Sequence, residues 1–284
     1  MRARVEAVGQ LRGEKLRELS KVLWWRTTMA VVPIGAGLVA ASIVSTHSVG
    51  VFFLVAAVAA VVLLIGTLVL AASRAKSAFL QAWASARGWS ADSSSWIAEA
   101  TPLLRGGDRR HSEHHISGPL AAGETAVLCH YTYEVRHPLT NSKGDTWEEH
   151  PFTVVETTVD APGLPSLGLH PGSFGHNRLF DRIDSAITGR RVVNLESSEL
   201  EHAYKLEVAD GVPDLAVRRF FDPRFIVWCL DQARDSMLFE IEHDVLVVAI
   251  RGHSYDAAEL DDLVEKASTI AAALAGLRAA SGVS

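Results

Sequence analysis

One short stretch of the 284-residue chain gathers groups that could hold a cation: His111, Glu113, His114 and His115. Imidazole and carboxylate together suit a divalent transition ion, and a strand over this stretch would bring His111 and His115 onto one face. A zinc site needs further ligands from elsewhere in the chain. His130 is a nearby donor, but no spacing ties it to the others. The run therefore reads as the solvated edge of a strand, with His111, His114 and His115 the chain's metal candidates and no cofactor expected.

A nucleophile can be sought at Ser173, which lies between Gly172 and Phe174 with His170 and His176 close in sequence. Triads are defined by geometry rather than order, and no base or orienting group is fixed by spacing here, so Ser173 reads as part of a glycine-rich loop. Glu196, Glu199 and Glu201 are a third grouping, two of them explained by a capped helix start. The chain has no GxxxxGK[ST] loop, no GxGxxG after a strand, no HExxH and no GxSxG, which removes the glycine cradles that bring backbone amides onto phosphate. Cys129 and Cys229 sit in separate apolar stretches and form no CxxC pair; they read as reduced, buried thiols.

The elements that must position these groups begin with a membrane segment. No Asp, Glu, Lys or Arg occurs over residues 27–73. About 20 apolar residues cross a bilayer as a helix, and this stretch holds two such lengths, 27–44 and 49–72, joined by Ser45, Thr46, His47 and Ser48. Gly37 and Ala41 in the first, and Ala56 and Ala60 in the second, are small residues four apart that let two helices approach closely. Pro33 sets a kink in the first. Lysine and arginine hold their flanks in the cytoplasm. Arg2, Arg4, Arg12, Lys15, Arg17, Lys21 and Arg26 precede the hairpin, Arg74, Lys76 and Arg87 follow it, and the turn has none. The expectation is a multi-pass protein of the cytoplasmic (inner) membrane with both termini cytosolic.

Charge separates the two sides of that hairpin. Of 27 basic and 33 acidic side chains, seven and three fall in residues 1–26, so the remainder carries 20 against 30. An acidic domain repels phosphate backbones, which argues against nucleic acid as a partner. Residues 1–26 place Val5, Val8, Leu11, Leu16, Leu19 and Leu23 on one helical face opposite a basic one, interrupted by Gly9 and Gly13. That helix lies either on the membrane or on the protein. Trp24 and Trp25 mark the lipid interface.

Past the hairpin, Phe79, Leu80 and Trp83 continue the helical period to Gly88, giving a stalk over 73–91. Alternating β-branched and aromatic residues predict strands over 114–120, 126–135 and 152–159, with 141–147 a loop. A Gly- and Pro-rich loop is expected over 161–175, a short helix over 177–187 and a strand over 192–195. Ser198 and Glu201 form a capping-box pattern, and Asp222-Pro223 opens another helix. Residues 237–241 and 245–250 flank His243-Asp244 as a hairpin. Leu260, Leu263, Val264, Ala267, Ile270, Ala271, Leu274 and Leu277 stripe a long terminal helix whose start is acidic at Asp256, Glu259, Asp261 and Asp262.

Asn194, Leu195, Glu196, Ser197, Ser198, Glu199 and Leu200, then Tyr204, Leu206, Val208 and Asp210, then Phe221, Asp222, Pro223, Arg224 and Phe225, make a signature. It resembles that of a family of uncharacterised bacterial membrane proteins, and departs from it at Leu200, where the family has Phe. The resemblance implies an N-terminal pair of transmembrane helices before a cytosolic domain of unknown function, and no catalytic residue. The fold class expected is thus a membrane protein, a two-helix transmembrane hairpin plus an α+β cytosolic domain with a mainly antiparallel sheet and a long C-terminal helix. Its segments are 1–26, 27–72, 73–91 and 92–284. The function expected is a membrane-anchored binding or scaffolding module, partnered by the lipid bilayer and by a protein or a second copy. The alternative is a membrane-associated hydrolase or metal-dependent enzyme using the His111 cluster or the Ser173 loop.

Overall fold

The computed structural model describes residues 49–91, 97, 99–121, 123–138, 145–159, 166–172, 190–232 and 237–281. The expected amphipathic segment, first crossing and turn at 1–48 lie outside the described residues, as does the helix expected at 177–187. The chain forms two compact units, Met1–Trp83 and Ala84–Ser284.

Helix α1 spans Val49–Ala86, 38 residues. Within Ala57–Ala86 its most apolar 18 residues have mean hydropathy 2.2 and are 11% buried, and it is the one helix among the described residues long and apolar enough to cross a membrane. Leu54, Val58, Val62, Ile65 and Val69 stand exposed along it. The Thr67 hydroxyl donates to the Leu64 carbonyl at 2.6 Å, so even its polar side chain is satisfied within the helix. The helix stops where the sequence says it should. Gly88 adopts φ +70°, a left-handed conformation that glycine takes without a Cβ clash, and the Trp89 amide closes onto the Ala84 carbonyl. The expected stalk therefore ends at Ala86; Ser90–Ala91 is already a strand, β1.

The second unit is α+β. After β1 come α2 (Pro102–Arg105), β2 (Arg109–Pro119), β3 (Thr125–Pro138), β4 (Asp145–Thr158), β5 (Leu167–Pro171) and β6 (Arg190–Val192). Then follow α3 (Ser198–Ala203), β7 (Tyr204–Ala209), α4 (Asp214–Phe220), α5 (Pro223–Gln232), β8 (Leu238–Glu242), β9 (Val245–Arg251) and α6 (Ala257–Ser281). The strands form one open sheet in the order β1-β2-β3-β4-β9-β8-β5-β7-β6, every neighbouring pair antiparallel.

Period-two alternation divides the sheet into two covered faces. On one, Cys129, Tyr131, Tyr133 and Val135 of β3 join Phe152, Val154, Leu238, Val247 and Ala249 in a core closed by Ile97, Leu103 and Leu104. α6 packs on β9 and β4, with Leu260, Leu263, Ala267, Ile270, Ala271 and Leu274 buried along its stripe. Phe220, Phe221 and Phe225 gather round Phe239. Because both faces are covered, β9 buries Leu246, Val247, Val248 and Ala249 in succession.

Local signals hold where they are strong. The β8–β9 hairpin turns at His243-Asp244, with His243 at φ 55°. Asp222 caps α5 by accepting the Phe225 amide at 2.8 Å, and Asp256 caps α6 by accepting that of Ala258 at 2.8 Å. Elsewhere the structure corrects the sequence reading. β5 lies inside the stretch expected to be loop; Gly168 and Pro171 lower its strand propensity, but pairing with β7 and β8 on both edges and full burial outweigh that. The cap expected of Ser198 is made by Ser197, which accepts the Leu200 amide, and α3 lasts only six residues before β7. The strand expected at 192–195 is β6, ending at Val192, and β4 takes in residues 145–147 of the expected loop. β2 starts at Arg109 rather than His114, and α4 had no apolar period long enough to announce it.

Truncating Leu263 or Ile270 to alanine leaves a cavity between α6 and the sheet. Either change should destabilise the second unit by roughly 2–5 kcal/mol. Chemical denaturation of the full chain in detergent, read by tryptophan fluorescence, checks this; an unchanged midpoint for Leu263→Ala would remove α6 from the core.

Candidate functional site

The histidines are organised by an irregularity in β2. Glu113 pairs with His130 and Ile116 with Leu128, so His114 and His115 face the single residue Cys129 across the ladder. Two residues opposing one is a β-bulge, which bends a strand and re-aims a side chain. His114 takes φ 58°, an uncommon conformation for a residue with a Cβ. The result is that one ligand atom from each of Glu113, His114 and His130 lies within 4.8 Å of the others.

The β9–α6 connection completes the cluster. His130 is fully buried, and its Nε2 lies 3.0 Å from the Ser254 carbonyl oxygen. Its ring stacks on His253 at 4.6 Å between centroids and 5° between planes. His253 Nε2 lies 3.1 Å from Thr132 Oγ1 and 3.4 Å from the Tyr131 carbonyl oxygen, while its Nδ1 lies 3.8 Å from Glu113 Oε1. His114 Nδ1 lies 3.7 Å from the same carboxylate oxygen. The Tyr255 ring meets His130 edge-on at 4.8 Å, and burial, with the Glu113 carboxylate adding to it, pushes the Tyr255 phenol up to about 12. The loop itself is pinned: the Ser254 amide donates to Thr153 Oγ1 at 2.7 Å and the Ser254 hydroxyl to Glu259 at 2.7 Å.

The pairing of His111 with His115 expected from strand alternation is not what forms. The bulge falls between them; His111 is exposed, and His115 Nε2 lies 3.0 Å from Ser112 Oγ. Sequence reasoning named His114 but had no signal for His253 or Tyr255, which arrive from a loop more than a hundred residues later in the chain.

Ser173 and His176 lie outside the described residues. His170 is on β5, buried, with Nε2 3.4 Å from Glu240 Oε1. Glu240 is itself fully buried on β8, and its other oxygen accepts the Leu103 amide at 2.8 Å, tying the first turn of α2 to the sheet. A Cβ at Gly168 would come 2.5 Å from His170 Nε2, so glycine makes room for the pair. Glu196 binds Arg218 at 2.8 Å on the surface, and Glu199 and Glu201 stand exposed in the first turn of α3. Cys129 and Cys229 are buried free thiols, and burial raises both, Cys229 to about 12 and Cys129 well above its ordinary value. Neither is poised as a nucleophile. A separate concavity is lined by Leu169, Val193, Leu195, Leu200, Tyr204 and Leu206 beside the β6–β7 edge.

Fold and site thus define an α+β unit with an open antiparallel sheet, and one apolar helix ahead of it. Neither the protein-family models nor the curated proteins contain a match to the chain. Among solved structures, it is similar to the crystal structure of the mycobacterial trehalose monomycolate transport factor A, TtfA, with a TM-score of 0.47 and 13% identity over 70% of this chain and 96% of that one.

Two outcomes follow from this geometry. Glu240→Ala strands the Leu103 amide in the core and should cost roughly 1–3 kcal/mol by denaturant titration, whereas Glu240→Gln keeps an acceptor and should cost clearly less; equal losses would mean that the amide contact contributes nothing. In the folded full chain at mildly alkaline pH, neither cysteine should take up iodoacetamide, and both should react after denaturation; mass spectrometry of the native sample reads the difference.

Proposed function

We propose that this protein is a membrane-anchored binding or scaffolding module, with the second unit held at the cytosolic face of a bacterial inner membrane. The observation that carries this is α1: apolar side chains from Leu54 to Val69 stand exposed on a helix whose most apolar 18 residues, within Ala57–Ala86, have mean hydropathy 2.2. Side chains of that kind have no favourable place in water, where each would lose roughly 1.5–3 kcal/mol of burial. A bilayer satisfies them while the helix satisfies its own backbone.

The finer topology rests on the sequence. Residues 27–44 supply a second crossing, and the basic flanks at residues 1–26 and at Arg74, Lys76 and Arg87 favour a hairpin with both ends inside. The binding role is supported by what the conspicuous polar groups do. Glu240 and His170 anchor α2, Glu196 is in a surface ion pair, and Asp222 and Asp256 cap helices. Each has a structural task, and the partner, a protein or a second copy, is then met by the surface of the second unit.

Membranes carrying the full chain test the anchor. The protein should stay in the pellet through an alkaline carbonate wash and leave it only in detergent; release by carbonate would overturn the anchor. For topology, Ser48→Cys and Ser281→Cys are placed singly in a Cys129→Ser, Cys229→Ser background. An impermeant maleimide should label the first and not the second in intact cells, and labelling at position 281 from outside would reverse the orientation.

A further inference from the structure

We propose that Glu113, His114 and His130 form a binding site for a single divalent transition cation of the zinc class, with a water molecule left to fill the fourth position. The inference goes beyond the anchoring role and stands independently of it. Three observations carry it.

The first is the donor set and its spacing. Two imidazoles and one carboxylate, with a water in the fourth position, are a ligand set that zinc and its neighbours accept. Tetrahedral ligation at about 2.1 Å sets ligand atoms about 3.4 Å apart, and those of Glu113, His114 and His130 already lie within 4.8 Å. Small side-chain rotations close the difference.

The second is the tautomer that the surroundings impose. A carbonyl oxygen only accepts, so the contact from His130 Nε2 to the Ser254 carbonyl, at 3.0 Å, makes Nε2 the protonated nitrogen. In the neutral ring the lone pair then sits on Nδ1. Orienting a ligating imidazole through a backbone carbonyl on its far nitrogen is how proteins prepare metal ligands.

The third is the backbone. His114 reaches the cluster only through the bulge and φ 58°. Bulges and left-handed non-glycine residues concentrate where a side chain is aimed at a functional site. Here the carboxylate is exposed, His114 is half-buried and His130 fully buried, so an ion reaches the cluster from solvent and meets its deepest ligand last.

The test uses the full chain in detergent, purified by a histidine-free tag and stripped of metal. Titration with Co(II) should give one saturable equivalent with the visible absorption of a four-coordinate ion, displaced by Zn(II), and Zn(II) should raise the unfolding temperature of the second unit. Glu113→Gln and His114→Gly should each weaken binding at least roughly tenfold, the least expected of a ligand when outer-shell partners alone are worth that much. Glycine suits φ 58°, so metal-free His114→Gly should still fold and unfold in a single cooperative transition. That separates a lost ligand from a damaged fold. His111→Ala, outside the cluster, should change neither reading. Absence of saturable Co(II) uptake, or uptake that His114→Gly leaves intact, overturns the proposal.

Discussion

The ladder of β3 between β2 and β4 is the constraint on which the second unit depends. β3 runs from Thr125 to Pro138 and is paired with β4 along its whole length, residue for residue from Ala126↔Thr157 to Pro138↔Asp145. With side chains alternating, that register commits Tyr131, Tyr133 and Val135 to one core and Leu128, His130 and Thr132 to the opposite face. A slip of one residue would exchange the two sets, putting His130 into the core with Phe152 and Leu238 and turning the tyrosines to the opposite face. β9 extends the same register across β4, and α6 covers what the strands present. The burial of Glu240 follows too. Opposite Val247, it lies on the face that α2 must close, and a carboxylate there is tolerable because the Leu103 amide and His170 meet it.

Elements with a strong local period or a cap were legible in the sequence. β3, β4, the β8–β9 hairpin, the Asp222 cap and α6 each combine a pattern of several residues with a punctuation signal. What was not legible is held by neighbours rather than by itself. β5 has five residues, one of them Gly and one Pro, and exists because β7 and β8 pair with it from both sides. β7 follows directly on α3, so Tyr204 is both the C-cap of a helix and the first residue of a strand, with no turn residue between them. The Ser197 cap lost to Ser198 in the reading because Glu201 stands three residues after the latter. In the structure the Leu200 amide is the one that needs an acceptor, and Ser197 is placed to supply it.

The site was half legible, for a reason that can be named. A strand reading keeps period two, and period two groups His111 with His115. A bulge adds one residue and shifts the phase for everything after it, so His114 joins Glu113 and His115 does not. Nothing in the residue types around 113–116 demands that extra residue. His253 and Tyr255 were invisible for a different reason, since they belong to the turn between a strand and a helix and approach His130 only because α6 must fold back on β9.

The identity of the residue at the bulge carries a further argument. A left-handed conformation costs an ordinary L-residue roughly 1–2 kcal/mol, while glycine adopts it freely and asparagine with less strain. Backbone strain alone would therefore favour glycine at position 114. The ring itself is largely buried and meets His130 and Tyr255 edge-on. A strained position occupied by a costlier residue makes sense when the side chain has work at the place the strain puts it. Beside the Glu113 carboxylate and a histidine whose Nε2 is held by a backbone carbonyl, the work we propose is ligation.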